Sequence, residues 1–459
     1  MIEVLLSAPA SGSGKTMVTC ALLAALQRRG LNPCAFKCGP DYIDPMFHRA
    51  ALGIDSHNLD LFLSDKETAK GLYNRYSAGH SAVVCEGAMG FYDGVGGTTT
   101  QASAWHTADV LDLPVVLILR PKGASLTLAA QLRGLLGFRT PSHIVGILLN
   151  DCPPTLCKSL SPMLEAETGL PVLGCLPPME EASLPSRHLG LCTAEEIGDL
   201  PLRLEKLAAG LEEYADLPRL LRLCERKKKI GKLRKLAAPQ QAVPPRIAVA
   251  QDSAFCFTYP ETLDALTDAG AELVSFSPLE DTALPPDIAG LYLPGGYPEL
   301  YAQALSENQG MRWAVYQAVA AGMPTVAECG GFLYLGKHLE EAGTGHKLPM
   351  AGALPGTGFA AGRLVRFGYA QLSAKVDGLL FRTGETVPAH EFHHWDSTEN
   401  GTALRAEKPI SGRSWDCGFL GPSLYAAFPH LYFAGSPQLS QRFVAAAAGY
   451  AAKGVLGGA

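Results

Sequence analysis

The feature that most restricts what this chain can fold into lies at its start. A strand-like apolar run, IEVLLSA, leads into the loop APASGSGKT (residues 8–16) and straight on into a Leu- and Ala-rich helical pattern. A strand that hands a glycine-rich loop to the N-terminus of a helix makes a phosphate site, because the loop amides and the positive helix end converge on one anion. Gly12, Ser13 and Gly14 would supply amides to ATP. Lys15 would reach its terminal phosphates, and the Thr16 hydroxyl would help hold Mg2+. Pro9 stands where the first glycine of such loops is usual. A plain glycine turn before a helix is the competing reading, and it leaves the adjacent Lys15-Thr16 pair unexplained.

The alternation of strand-like and helical runs continues to about residue 200, through PCAFKCG, SAVVCEG, PVVLILR, IVGILLN and PVLGCLP, which predicts a mostly parallel sheet covered by helices. The helix after the loop is predicted over Thr16 to Arg29, with Gly30 closing it. From Leu202 to Leu236 the pattern is helical and increasingly basic. The run ERKKKIGKLRK and the proline-rich APQQAVPP then read as a linker, the basic residues being a solvated helix face rather than a polyanion site. A second alternating set starts at Arg246 with RIAVAQD and includes AELVSFS, GLYLPGG and PTVAECGG. The expected domains are 1–237 and 246–459, both α/β.

The chain of 459 residues is 47% hydrophobic and 18% charged, so it has apolar side chains for substantial cores, and its net charge of -6 offers no overall attraction for nucleic acid. No signal-peptide pattern and no membrane-length apolar run is evident, from which a cytoplasmic protein that does not engage a membrane is expected. The 12 cysteines are scattered without CxxC spacing and read as buried thiols.

Two acidic motifs follow predicted strands, where open parallel sheets bind ligands. In KCGPDYIDPMFH, Asp41 and Asp44 sit in a loop stiffened by Pro40 and Pro45, with Lys37 able to offset phosphate charge. In VVCEGAMGFYDG, Glu86 ends a strand where an acid can meet Mg2+ opposite Thr16, and Asp93 follows in a glycine-rich loop. Taken alone, the Asp41 and Asp44 loop reads equally well as a surface turn. A class of dimeric switch ATPases carries an extra lysine early in the phosphate loop. This chain has Ala10 there, which favours ATP use in a synthetase reaction.

These motifs in this order, with NLD at Asn58–Asp60, LPSRHLGL at 184–191 and RIAVAQDSAFCFTYPE at 246–261, resemble the cobyrinate a,c-diamide synthase family, whose ATP-binding half is related to dethiobiotin synthetase. The resemblance implies ATP-driven phosphorylation of a substrate carboxylate and displacement of phosphate by ammonia from L-glutamine. By the same resemblance Asp41, Tyr42, Asp44, Glu86 and Asp93 line the magnesium and corrinoid region, with Thr16, Asp41 and Glu86 as metal ligands. Asn150 then contacts adenine, and Arg187 and His188 meet the substrate's carboxylates or form interdomain salt bridges. Arg120-Pro121-Lys122 departs from the acidic and small residues expected after the fifth strand.

In the second half, VAECGG places Cys329 on a strand–turn–helix elbow, with FLYLGKHLEEA read as the helix, and resembles the nucleophile of class I glutamine amidotransferases. A helix N-terminus and a nearby histidine would favour its thiolate. In LPGGYPEL, the amides of Gly295 and Gly296 suit an oxyanion hole. His390, His393 and His394 compete with His430 for the base. The resemblance favours His430, which follows a late strand, and assigns HEFH to the interdomain or substrate region. Ordinary class I enzymes carry a glutamate two residues after the histidine. Here that residue is Tyr432, so a Cys–His pair without an assigned third member is expected. Ammonia is then expected to travel between the two sites. Hydrogenobyrinate or nickel sirohydrochlorin would serve the same apparatus, and a non-enzymatic P-loop switch is the reading from another class. A homodimer is compatible with the sequence.

Overall fold

In a computed structural model the chain is described at residues 1–182, 186–187, 190–191, 199–227 and 243–457, with backbone alone at 186–187, 190–191 and 454–457. It divides into two compact units, Met1–Arg234 and Lys235–Ala459. The first part of the proline-rich stretch, to residue 242, and most of the basic run fall outside the described residues. Among the described residues no helix is long and apolar enough to cross a membrane.

The first unit alternates β1 (Ile2–Ser7), α1 (Lys15–Arg28), β2 (Pro33–Cys38), α2 (Ile43–Leu52), β3 (Ser56–Leu59), α3 (Lys66–Tyr76), β4 (Ala82–Glu86), α4 (Ala104–Leu111), β5 (Val115–Leu119), α5 (Leu126–Phe138), β6 (Ile144–Asn150), α6 (Pro154–Thr168) and β7 (Val172–Leu176). A two-residue hairpin, β8 (Ser186–Arg187) and β9 (Gly190–Leu191), precedes α7 (Leu200–Tyr214) and α8 (Leu217–Leu223). The seven strands order as β3-β2-β4-β1-β5-β6-β7, all parallel. Such strands are apolar on both faces because helices cover both. In β1, Val4 and Leu6 pack into one layer with residues of α1 and α7, while Leu5 packs into the other with residues of α4, α5 and α6. The six strands read from sequence are present. β3, SHNL, was not legible, since a four-residue edge strand with three polar side chains has no apolar run to announce it.

The second unit opens with β10 (Arg246–Ala250), α9 (Pro260–Asp268), β11 (Glu272–Phe276), β12 (Gly290–Leu293), α10 (Ala302–Glu307), α11 (Gln309–Ala320), β13 (Thr325–Glu328) and α12 (Gly330–Leu335). It continues with β14 (His338–Glu340), β15 (Lys347–Pro349), β16 (Thr357–Ala360), β17 (Arg366–Ala374), β18 (Thr386–His393), β19 (Trp395–Ser397), β20 (Leu404–Glu407), β21 (Ser414–Cys417), β22 (Phe419–Gly421), β23 (Leu424–Ala427), β24 (His430–Leu431) and α13 (Pro437–Gly457). The main sheet runs β11-β10-β12-β13-β23-β22, parallel except at β22. An antiparallel sheet, β21-β20-β17-β18-β24, carries the HEFH segment beside His430. The helix expected over FLYLGKHLEEA is shorter: α12 stops at Leu335 and His338–Glu340 is a strand. Every residue of α12 is buried, so its apolar run is core filling with no helical face to extend.

Candidate active site

The carboxyl ends of β1, β2 and β4 bring the first cluster together. Gly14, at φ +85°, turns the loop into α1, and a Cβ there would sit 2.0 Å from Asn150 Nδ2. Asn150, at the end of β6, donates from Nδ2 to the Ser13 carbonyl at 3.0 Å, and Ser13 Oγ donates to the Ala10 carbonyl at 2.9 Å. Asn150, the residue expected at adenine, also braces the phosphate loop. Lys15 Nζ donates to the carbonyls of Met89 at 2.6 Å and Ala10 at 3.3 Å. Burial, and then the charge of Lys37, lower Lys15 to about 8.

Thr16 Oγ1 donates to Glu86 Oε1 at 2.7 Å and reaches Asp44 Oδ2 at 3.4 Å. Lys37 Nζ, buried in the same cluster, donates to Glu86 Oε1 at 2.7 Å and also to Asp44. Burial alone would discharge Lys37. The carboxylates of Asp44, Glu86 and Asp41 outweigh it and hold the ammonium well above its ordinary range, while Lys37 in return holds Asp44 below its own against the opposing effect of burial. Asp41, expected among the metal ligands, is engaged by backbone amides. Its Oδ1 accepts from the amides of Ile43 and Asp44 at 2.9 and 3.2 Å, and Oδ2 is 3.8 Å from Lys37. Asp44 takes its place beside Thr16 and Glu86. Tyr42 is the residue before α2, and Asn58 ties β3 to this loop by donating to the carbonyls of Gly39 at 3.0 Å and Asp41 at 2.7 Å. Asp93 Oδ2 accepts from the Gly90 amide at 2.9 Å, closing the glycine-rich loop against Pro9.

Among the described residues no group of three His, Cys, Asp or Glu side chains forms a metal cage. Magnesium at a phosphate site needs less: one or two carboxylates, a hydroxyl, phosphate oxygens and water. Thr16, Asp44 and Glu86 fit that requirement, and Glu86 Oε2 is buried without a protein hydrogen-bond partner. Arg120, the departure after β5, pairs with Asp151 by Nε at 2.6 Å, so its charge is locally offset. For Arg187 only the backbone, in β8, is described, and His188 lies outside the described residues.

In the second unit Cys329 stands between β13 and α12 at φ 48° and ψ −101°, a conformation costly for a residue with a Cβ. Its amide is bonded to the Ala427 carbonyl at 2.9 Å. A Cβ placed on Gly295 would lie 2.4 Å from His430 Cε1, 3.2 Å from its Nε2 and 3.4 Å from Cys329 Cβ. Gly295 therefore occupies the gap between nucleophile and imidazole, and Gly296 lies beside Gly330, the first residue of α12. His390 is opposite His430 on β18, while His393 Nδ1 donates to the Trp395 carbonyl at 2.6 Å and the ring stacks on Phe428. Burial holds His390 at about 3 and His393 at about 4.

The thiol itself differs from expectation. Burial, then the charges of Glu299, Glu391 and Glu328, push Cys329 well above its ordinary range, against the favourable Gly330 amide. A six-residue helix does not offset that, so the group rests as a thiol and needs a base during reaction. Sequence reasoning also missed Glu328. Its Oε2 is 3.8 Å from His430 Nδ1, and Oε1 accepts from the Leu431 amide at 2.9 Å. No sequence pattern pairs the residue before an elbow with a histidine a hundred positions later.

Comparison with known proteins covers both units. Residues 4–191 match the family model for the CobQ/CobB/MinD/ParA nucleotide binding domain, and residues 246–437 that for the CobB/CobQ-like glutamine amidotransferase domain. The chain is 37% identical over 442 residues to the cobyrinate a,c-diamide synthase of Clostridium acetobutylicum, spanning 95% of this chain and 98% of that one. It is 36% identical over 455 residues to that of Synechococcus sp. (97% and 98%), and 37% identical over 461 residues to that of Salmonella typhimurium (96% and 97%).

Proposed function

The chain belongs to the cobyrinate a,c-diamide synthase family and is a glutamine-dependent ligase, and from that premise we propose that it amidates the a and c side-chain carboxylates of cobyrinate. What carries the reading is one chain that joins a phosphate loop backed by buried carboxylates to a Cys–His elbow, over the full length of relatives bearing that name.

In the first unit a substrate carboxylate oxygen attacks the γ-phosphorus of ATP and ADP leaves. Ammonia then attacks the acyl carbon, phosphate departs and a proton is lost, giving the amide. A carboxylate is a poor electrophile, and phosphorylation supplies the leaving group. Lys15 would exchange its carbonyl partners for phosphate oxygens. Lys37, held charged, would offset the phosphoryl oxygens. Thr16, Asp44 and Glu86 would hold Mg2+, which when bound neutralises phosphate charge. Asp41, Tyr42 and Asp93 would shape the substrate loops, and Arg187 and His188 would meet carboxylates of the corrin.

In the second unit His430 would accept the Cys329 proton as Sγ attacks the side-chain amide carbon of glutamine. Amides of Gly295 and Gly296 would hold the oxyanion, and ammonia would leave with the imidazolium proton. Water then hydrolyses the thioester to glutamate.

The test supplies cobyrinic acid, ATP and Mg2+ with either glutamine or ammonia, and reads carboxamides per ring by mass. Two amides from the parent, with Cys329→Ala active on ammonia alone, are expected. A parent that consumes glutamine but leaves cobyrinic acid unchanged would remove the substrate assignment, and a Cys329→Ala variant dead with ammonia would remove the division of labour.

A further inference from the structure

The residue that would hold a class I histidine from the carboxyl side is Tyr432 here, a buried ring packed edge-on against Tyr259. The carboxylate that faces His430 comes from β13 instead. We propose that Glu328, the last residue of β13 and the one immediately before the nucleophile, is the positioning acid of the Cys329–His430 pair. The inference rests on the assignment of that pair to glutamine hydrolysis.

Glu328 and His430 are 1% and 3% exposed, so their interaction is little screened by solvent. The carboxylate is fixed at both oxygens. Oε1 accepts from the amide of Leu431, the residue after the histidine, and Oε2 accepts from Tyr292 Oη on β12 at 3.0 Å. Tyr292 thus holds Oε2 on the Nδ1 side of the ring, while the Cε1–Nε2 edge faces Gly295 and, beyond it, Cys329. The separation of 3.8 Å is longer than a hydrogen bond, and catalytic pairs without substrate are commonly loose and tighten in the reacting complex. With the proton on Nδ1 directed at Oε2, the lone pair of Nε2 is the one that takes the thiol proton. The negative carboxylate then stabilises the imidazolium until ammonia removes that proton.

Glu328→Gln separates this role from a scaffolding one. The glutamine oxygen still accepts from Leu431 and its amide still meets Tyr292, but the charge and the acceptor facing Nδ1 are gone. Glutamate release is measured in the presence of ATP, Mg2+ and cobyrinic acid. The expected result is a kcat about 10²-fold below the parent, with the glutamine KM within about threefold and ammonia-supported amidation retained. Glu328→Ala should be no better. Tyr292→Phe, which leaves the charge but frees Oε2, should lose roughly tenfold in kcat at unchanged KM. It decides the matter if the Gln variant does not fold: a parent-like kcat in Tyr292→Phe then overturns the proposal. A Gln variant that restores the Ala variant to parental kcat shows that Glu328 only braces Leu431, and the proposal fails. Hydrolysis surviving in both Cys329→Ala and His430→Ala would instead sink the underlying assignment.

Discussion

Gly295 has little room for change beside Cys329. A methyl group there would enter the space between the His430 ring and the Cys329 side chain, 2.4 Å from one and 3.4 Å from the other. The ring cannot retreat without leaving the thiol. Gly295→Ala is therefore expected to lower glutamine-dependent turnover by at least about 10²-fold while amidation from ammonia persists, a split that steady-state assays with the two nitrogen sources would reveal. Parental glutamine turnover would mean that the site does not close around this glycine. The sequence marked Gly295 and Cys329 separately, each by its own local motif. It could not mark the close approach of glycine and imidazole, which comes from packing β12 and β24 in one unit.

At the scale of the element, β18 shows how much a strand can hide. HEFH reads as a cluster of candidate bases, yet burial keeps His390 and His393 neutral to about pH 3 and 4. For His390, between its ordinary value of 6.5 and about 3, the unfolded chain binds more protons than the folded one. Stability therefore rises with pH across that window and is lost on acidification. At pH 5 this one residue costs about 2 kcal/mol relative to pH 7 or above. His390→Gln should accordingly flatten the fall in melting temperature of the second unit between pH 7 and 5. An unchanged acid limb would show that His390 is not carrying the penalty. The elements themselves were largely legible: parallel strands buried on both faces gave unbroken apolar runs, and β10 to β13 repeated the signal. Polar β3 and the end of fully buried α12 were not, because neither carries a periodic contrast between a wet and a dry face.

For the molecule as a whole, each unit owns two apolar layers flanking its main sheet. Calorimetry is expected to give two transitions, with Mg2+ and a non-hydrolysable ATP analogue raising only the one that belongs to the first unit. Covalent capture of Cys329 by a glutamine analogue should move only the other. One transition raised by both ligands would show that the units do not unfold independently. By itself the sequence determined the α/β class, the phosphate loop from Gly12 to Thr16 and the Cys329 elbow, because each is a strand, a sharp turn and a helix within some twenty neighbouring residues. Only the tertiary structure decided that Asp44 stands beside Thr16 and that Glu328 faces His430. Those are meetings of side chains between elements distant in the chain. What fixes them is sheet order and burial, which no local spacing encodes.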